Sequence, residues 1–281
     1  MEIIVKKRCV IGEGPIYNEQ LNSVFFVDAP ENKMYILDLI INRLTEKKVE
    51  KRCYAIAFGK KNEMIVSRDD GVFRLDNGTE TPLYDMSKHS IINANDMKVG
   101  PDGRIYVGTV SGLKKCVSDN IDGKLYSIDK FGEVKILLDN LCVSNGLEWS
   151  MDEKRFYHTD SATGFIKEYD FDKQSGSITP TGRKVFVPGV DGFTIDKKDR
   201  LVVTRWDDKT VSFIDIDTLK IVEEDPVPCA NPASCCFAGV DMKSLIIVTA
   251  SYDGIDENNV NAGHTFLQRR TIGGRKPYLF G

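Results

Sequence analysis

The chain has 281 residues, 41% hydrophobic and 28% charged, which excludes wholesale disorder and leaves room for one large domain or two small ones. Its 38 basic against 42 acidic residues give a net charge of -4, without the positive field that nucleic acid or an anionic membrane surface requires. No apolar run approaches the roughly 18 residues of a membrane-spanning helix.

The chain opens on Met1-Glu2-Ile3-Ile4-Val5-Lys6-Lys7, whose charge follows its apolar stretch, opposite to the order of a secretory signal. The seven cysteines, an odd number with no C-x-x-C pair, read as reduced thiols of a cytoplasmic protein, Cys235 and Cys236 included. From there a cassette repeats: a polar turn, then a short apolar or β-branched run. The runs are Ser23–Val27, Glu63–Ser67, Arg104–Gly108, Arg155–His158, Arg200–Thr204 and Leu245–Thr249. After several of them a further run alternates with period two, as in Lys124–Asp129 and Phe165–Asp170. Successive units lie about 40–50 residues apart, the period of a four-stranded propeller blade. The pattern predicts an all-β fold, a six-bladed β-propeller of four-stranded antiparallel blades forming a single domain over residues 1–281. Met1–Lys7 is the segment expected to pair with the last blade's outer edge, which would otherwise invite aggregation.

In a propeller the first strand of each blade lines the central channel, so equivalent positions converge there. Reading about 10 or 11 residues upstream of each apolar run yields Gly12-Glu13-Gly14-Pro15, Asn93-Ala94-Asn95-Asp96, Ser144-Asn145-Gly146-Leu147 and Val190-Asp191-Gly192-Phe193. The second unit shows only Ala55-Ile56-Ala57, and the last Ala233-Ser234-Cys235-Cys236. Glu13, Asn145 and Asp191 are all oxygen donors, the set a hard divalent cation prefers. Two carboxylates and one amide cancel a 2+ charge, and three protein ligands leave room for water and substrate.

Other constellations are absent or incomplete. His89, His158 and His264 are far apart in sequence, and there is no H-E-x-x-H, P-loop, G-x-S-x-G or G-x-G-x-x-G motif. His158 sits inside a strand, where a core or surface histidine with its hydrogen bonds satisfied is expected. Arg68 and Arg205 close equivalent strands and are expected to pair with neighbouring acids.

At these residues the sequence resembles the senescence-marker protein, gluconolactonase and luciferin-regenerating-enzyme family. The resemblance is carried by Gly12-Glu13-Gly14-Pro15 with Phe26-Val27-Asp28, by Asn95-Asp96 and by Val99–Thr109. It continues in Ser144–Ser150, Asp160-Ser161, Asp191-Gly192 with Ile195-Asp196, and Ser234–Phe237. It implies a six-bladed propeller with one divalent metal ion, bound by Glu13, Asn145 and Asp191, that hydrolyses lactones of sugar acids. Asp191 is then also the catalytic base. Asn95 and Asn93 stand where the family contacts substrate, and Asp96 would orient a ligand or act as a minor one. Two departures bear on the substrate: Asn93 replaces an arginine, and the segment Gly108–Leu113 lacks an acid found in several relatives. Fewer charged contacts point to a smaller or less hydroxylated lactone or ester.

The resulting expectation is a metal-dependent lactonase, a carboxylic ester hydrolase of gluconolactonase type. Calcium, zinc, magnesium, manganese and ferrous iron all suit the donors, with calcium taken first. The expected partner is a small-molecule lactone or ester, with neither nucleic acid nor membrane, in a monomer or weak homo-oligomer. Two rival readings are an esterase or phosphotriesterase on the same metal site and a non-catalytic ligand-binding propeller.

Overall fold

The computed structural model describes residues 1–87, 92–111, 121–252, 254 and 259–281. Among these residues there are strands and turns but no helix, so none is long and apolar enough to cross a membrane. The first strand, β1 (Glu2–Val5), precedes five sheets built from consecutive strands. Blade 1 is β2 (Gly12–Asn18), β3 (Ser23–Asp28), β4 (Lys33–Asp38) and β5 (Arg43–Lys48). Blade 2 is β6 (Cys53–Phe58), β7 (Met64–Arg68), β8 (Gly71–Asp76) and β9 (Thr79–Asp85). Blade 3 is β10 (Ile92–Val99), β11 (Ile105–Ser111), β12 (Gly123–Ile128) and β13 (Val134–Leu141). Blade 4 is β14 (Ser144–Trp149), β15 (Arg155–Asp160), β16 (Phe165–Asp172) and β17 (Ser177–Phe186). Blade 5 is β18 (Val190–Ile195), β19 (Arg200–Arg205), β20 (Thr210–Asp215) and β21 (Lys220–Pro226). Blade 6 is β22 (Asn231–Ala238), β23 (Ser244–Ala250) and β24 (Thr265–Arg269), completed by β1. Six four-stranded antiparallel blades make the six-bladed β-propeller that the repeat predicts. Each repeated apolar run is the second strand of its blade.

The chain divides into two compact units: Met1–Arg52 with Val187–Pro277, and Cys53–Phe186 with Tyr278–Gly281. The first holds blades 1, 5 and 6, the second blades 2, 3 and 4.

Local chemistry explains the hairpins. In blade 1, Asn22, Asn32 and Asn42 take φ of 43°, 52° and 49° at successive strand connections. A left-handed backbone suits the right-handed strand twist, and among residues with a side chain asparagine tolerates it best. Burial falls from inside outward. Every residue of β14 and β18 is buried, whereas β5, of sequence Arg-Leu-Thr-Glu-Lys-Lys, is almost wholly exposed. Charges along an outer strand discourage edge-to-edge pairing with another molecule.

Each unit has its own apolar core between blades. In the first, Phe26, Tyr35, Phe213, Phe237 and Ile246 pack together. In the second, Trp149 meets Tyr106 edge-on at 4.8 Å between ring centroids and Phe156 at 5.0 Å, joining blades 3 and 4.

β1 pairs with β24 through Glu2↔Leu267, Ile3↔Phe266 and Val5↔Thr265, as expected for Met1–Lys7. Deleting residues 1–6 removes this strand and exposes the ladder edge of β24. The melting temperature should fall by about 5 °C or more, with increased self-association by light scattering. An unchanged melt and a monodisperse sample would show that β1 is dispensable.

Candidate functional site

The site positions are defined by register. The pairs Gly12↔Asp28, Cys53↔Arg68, Ala94↔Thr109, Ser144↔Asp160, Val190↔Arg205 and Pro232↔Thr249 occupy the same place in the six blades. The next residue on each inner strand is Glu13, Tyr54, Asn95, Asn145, Asp191 and Ala233. At or just after that residue every inner strand carries one residue more than its partner, a β-bulge that breaks the alternation and re-aims a side chain. The equivalence of Glu13, Asn95, Asn145 and Asp191 is thus structural. The reading of blade 2 is corrected: its equivalent residue is Tyr54, one position before Ala55. Tyr54 stands at the same spacing to its apolar run as Asn95 and Asp191 do to theirs, and the sequence window in this blade began one residue late, at Ala55.

In the first unit, Glu13 on β2 is half-buried and Asp191 on β18 is only 6% exposed. The inner strand β22 packs against both β2 and β18. Thr204 Oγ1 lies 2.6 Å from the Gly192 carbonyl and 2.8 Å from that of Ala233, joining β18 to β22 beside Asp191. A Cβ at Gly192 would fall 2.3 Å from Ser234 Oγ, so this close approach requires glycine. The chain ahead of Glu13 is clamped by Asp28, which accepts the Val10 N–H at 2.9 Å and the Ile11 N–H at 3.2 Å. Burial raises the Asp28 pKa, and those two backbone donors work against the rise.

The second unit repeats the clamp. Asp160 accepts the N–H groups of Cys142 at 2.9 Å and Val143 at 3.0 Å, just ahead of Asn145. Asn145 is 9% exposed. Asn95 donates from Nδ2 to the Ser144 carbonyl at 3.0 Å. The Ser144 hydroxyl sits 2.7 Å from His158 Nε2, beneath Gly108, where a Cβ would collide with it at 2.1 Å. Asp96 lies in the β10 bulge with Oδ1 accepting the Met97 N–H at 2.8 Å, and burial raises its pKa. Asn93 is exposed.

The donors suit a hard divalent cation: two carboxylates and one amide, with Asp191 and Asn145 both buried. A desolvated carboxylate at such a position gains most from a counter-charge. Among the described residues no group of three or more His, Cys, Asp or Glu side chains forms a metal cluster. The set of Glu13, Asn145 and Asp191 contains only two such side chains.

Arg68 pairs with both carboxylate oxygens of Glu80 at 2.8 Å, and Arg205 binds Glu224 at 2.7 Å and also Asp208. Both arginines do what their neighbouring acids led us to expect. The cysteine expectation is corrected: Cys142 is disulfide-bonded. Cys9, Cys53, Cys229, Cys235 and Cys236 are buried thiols. A chain with a disulfide loses the argument from reduced thiols for a cytoplasmic setting. His89, Gly112, Leu113 and Cys116 lie outside the described residues.

His158 is buried beside Ser144 and stacked on Phe156, and burial pushes its pKa down from 6.5 to about 3. It is neutral in the fold, whereas an unfolded chain protonates it below its ordinary pKa. Its contribution to stability is therefore complete above pH 6.5 and drains away as pH falls toward about 3. At pH 5 the loss should reach about 2 kcal/mol. Denaturant melts at pH 7.5 and pH 5 should show a smaller acid loss in His158→Gln than in the parent protein. Equal losses would mean that His158 does not set the acid sensitivity.

Comparison with known proteins adds a family pattern and close relatives. Residues 11–251 match the SMP-30/gluconolactonase/LRE-like region. YvrE of Bacillus subtilis, provisionally designated a sugar lactone lactonase, is 30% identical over 285 residues, covering 97% of this chain and 96% of that protein. Regucalcin of Danio rerio is also 30% identical, covering 100% of this chain and 98% of that one. The crystal structure of a regucalcin from Agrobacterium tumefaciens, described as a calcium-binding protein, superposes with a TM-score of 0.89. It covers 99% of this chain and 96% of that one at 22% identity, a likeness that establishes the fold.

Proposed function

The chain belongs to the SMP-30/gluconolactonase/LRE-like family, and from that premise we propose that it is a lactone hydrolase using one divalent metal ion held by Glu13, Asn145 and Asp191. The observation that carries this reading is the register. Three oxygen-donating side chains occupy one inner-strand position in three blades, each at a bulge. The lactonase designation of the Bacillus subtilis relative supports a lactone of a sugar acid or a related small lactone as substrate. The calcium-binding description of the Agrobacterium regucalcin supports calcium as the first metal to test.

When bound, the metal would polarise the lactone carbonyl and stabilise negative charge on its oxygen. Asp191 would act as general base, taking a proton from the attacking water as its oxygen bonds to the carbonyl carbon. The ring C–O bond then breaks, and the departing oxygen recovers the proton, giving a hydroxy acid. Asn95 has one amide hydrogen committed to the Ser144 carbonyl, which fixes the plane of its side chain. Its Oδ1 and second N–H would orient a substrate hydroxyl. Asp96 would help to orient these groups from the neighbouring bulge. In this reading the blades act together as one domain over residues 1–281, on a small-molecule substrate.

The test combines elemental analysis of the purified protein with a lactone panel at neutral pH, with and without chelator. Activity should disappear on chelation and return with a divalent cation. At saturating metal, Asp191→Asn should lower kcat by roughly 10²–10⁴, as expected for loss of a general base, with a smaller loss of metal affinity. Near-parental turnover in that variant would remove Asp191 as the base. A parent protein with neither metal nor activity would point to a ligand-binding propeller.

A further inference from the structure

Tyr54 occupies in blade 2 the position that Asn95 and Asn145 occupy in blades 3 and 4, all within the second unit. A continuous row of hydrogen bonds joins the three inner strands. The Ser67 hydroxyl accepts the Ala55 N–H at 3.0 Å and donates to the Asn95 carbonyl at 2.7 Å, and Asn95 in turn donates to the Ser144 carbonyl. The row starts at Ala55, the residue after Tyr54, runs through Asn95 and ends at Ser144, the residue before Asn145. It is half-buried, and its hydroxyl donates to Asp69 Oδ1 at 2.6 Å, so the ring is held at both ends.

We propose that Tyr54 is a specificity-determining residue of this site, and that it favours lactones carrying an apolar substituent over polyhydroxylated ones. The proposal rests on the lactone-hydrolase reading above. A phenol ring presents a flat apolar face to alkyl groups or C–H edges. With its proton given to Asp69, the Tyr54 oxygen can still accept from at most one or two substrate hydroxyls. Asn93, two residues before Asn95 on the adjacent strand, is exposed and uncharged, and Arg68, opposite the residue before Tyr54, is committed to Glu80. An aromatic face beside uncharged amides discriminates by substituent polarity.

The experiment compares the parent metal-loaded protein with Tyr54→Ala and Tyr54→Phe on two substrates: a six-carbon polyhydroxylated δ-lactone and a δ-lactone bearing an alkyl chain. Binding of the matching alkyl lactam, which is not hydrolysed, is measured by calorimetry. Tyr54→Ala should raise KM for the alkyl lactone about tenfold with kcat within about twofold, while KM for the polyhydroxylated lactone changes less than about twofold. Lactam affinity should fall by the same factor, and Tyr54→Phe should keep the parental preference. If Tyr54→Ala does not fold, Tyr54→Leu with the lactam decides: binding should weaken severalfold, and parental binding would overturn the proposal. Equal KM changes on both lactones, or none, in an active protein would overturn the role of Tyr54 and leave the lactonase reading standing. A parent protein inert toward both lactones and blind to the lactam would overturn the lactonase reading itself.

Discussion

An antiparallel ladder with unbroken alternation sends every second side chain to one face, so successive residues on a strand cannot both serve a site on that face. The inner strands escape this rule by inserting one residue at the same place in each of the six blades. In blades 1, 3, 4 and 5 a carboxylate or amide at the bulge is freed from the apolar alternation that packs the rest of the strand against neighbouring blades. Glu13, Asn145 and Asp191 depend on that irregularity, as do Asn95, Asp96 and Tyr54. The remainder of each blade, with its buried second strand and charged outer strand, holds the bulge in place.

A bulge interrupts pairing, and the polar backbone groups around it need partners. The solution recurs. Asp28 gathers two consecutive N–H groups ahead of Glu13, and Asp160 gathers two ahead of Asn145. In blade 5 the corresponding residue is Arg205, whose Nε donates to the Pro188 carbonyl at 3.1 Å, ahead of Asp191. Opposite charges thus perform one positioning task, a carboxylate where the backbone offers donors and a guanidinium where it offers an acceptor. His158 serves a related purpose. Held neutral by burial, it hydrogen-bonds the Ser144 hydroxyl next to Asn145 without adding a charge there.

For the reaction proposed above these arrangements matter because a buried site works through fixed dipoles and side chains that need not reorganise during reaction. Asn95 shows how little freedom remains, with one amide hydrogen anchored on the neighbouring inner strand. Gly108 and Gly192 contribute by absence, since a methyl at either would strike a serine hydroxyl of the next blade. Charge is spent differently at the periphery, where Arg200 and Arg270 lie over the Phe213 ring and share Glu223, binding blade 5 to blade 6.

Much of the fold was legible in the amino-acid order because it is written in local patterns: apolar runs about 40–50 residues apart, each with a polar turn ahead of it. Glu13, Asn95, Asn145 and Asp191 could be aligned because their distance to the second strand is nearly constant. Other features depend on chain segments that meet only after folding. Tyr54 shares that distance, but a tyrosine is not a metal donor of the carboxylate or amide kind, and only the register of β6 on β7 aligns it with them. Asp28 and Asp160 stood out as letters of a motif, but their work on backbone N–H groups 17 or 18 residues earlier appears only once the strands pair. The disulfide at Cys142 was likewise invisible to a count of cysteines, because bonding requires two sulfur atoms to be brought within reach. Sequence determined which residues alternate and turn; tertiary structure decided which of them meet, because register and bulges are settled by pairing between strands rather than along one.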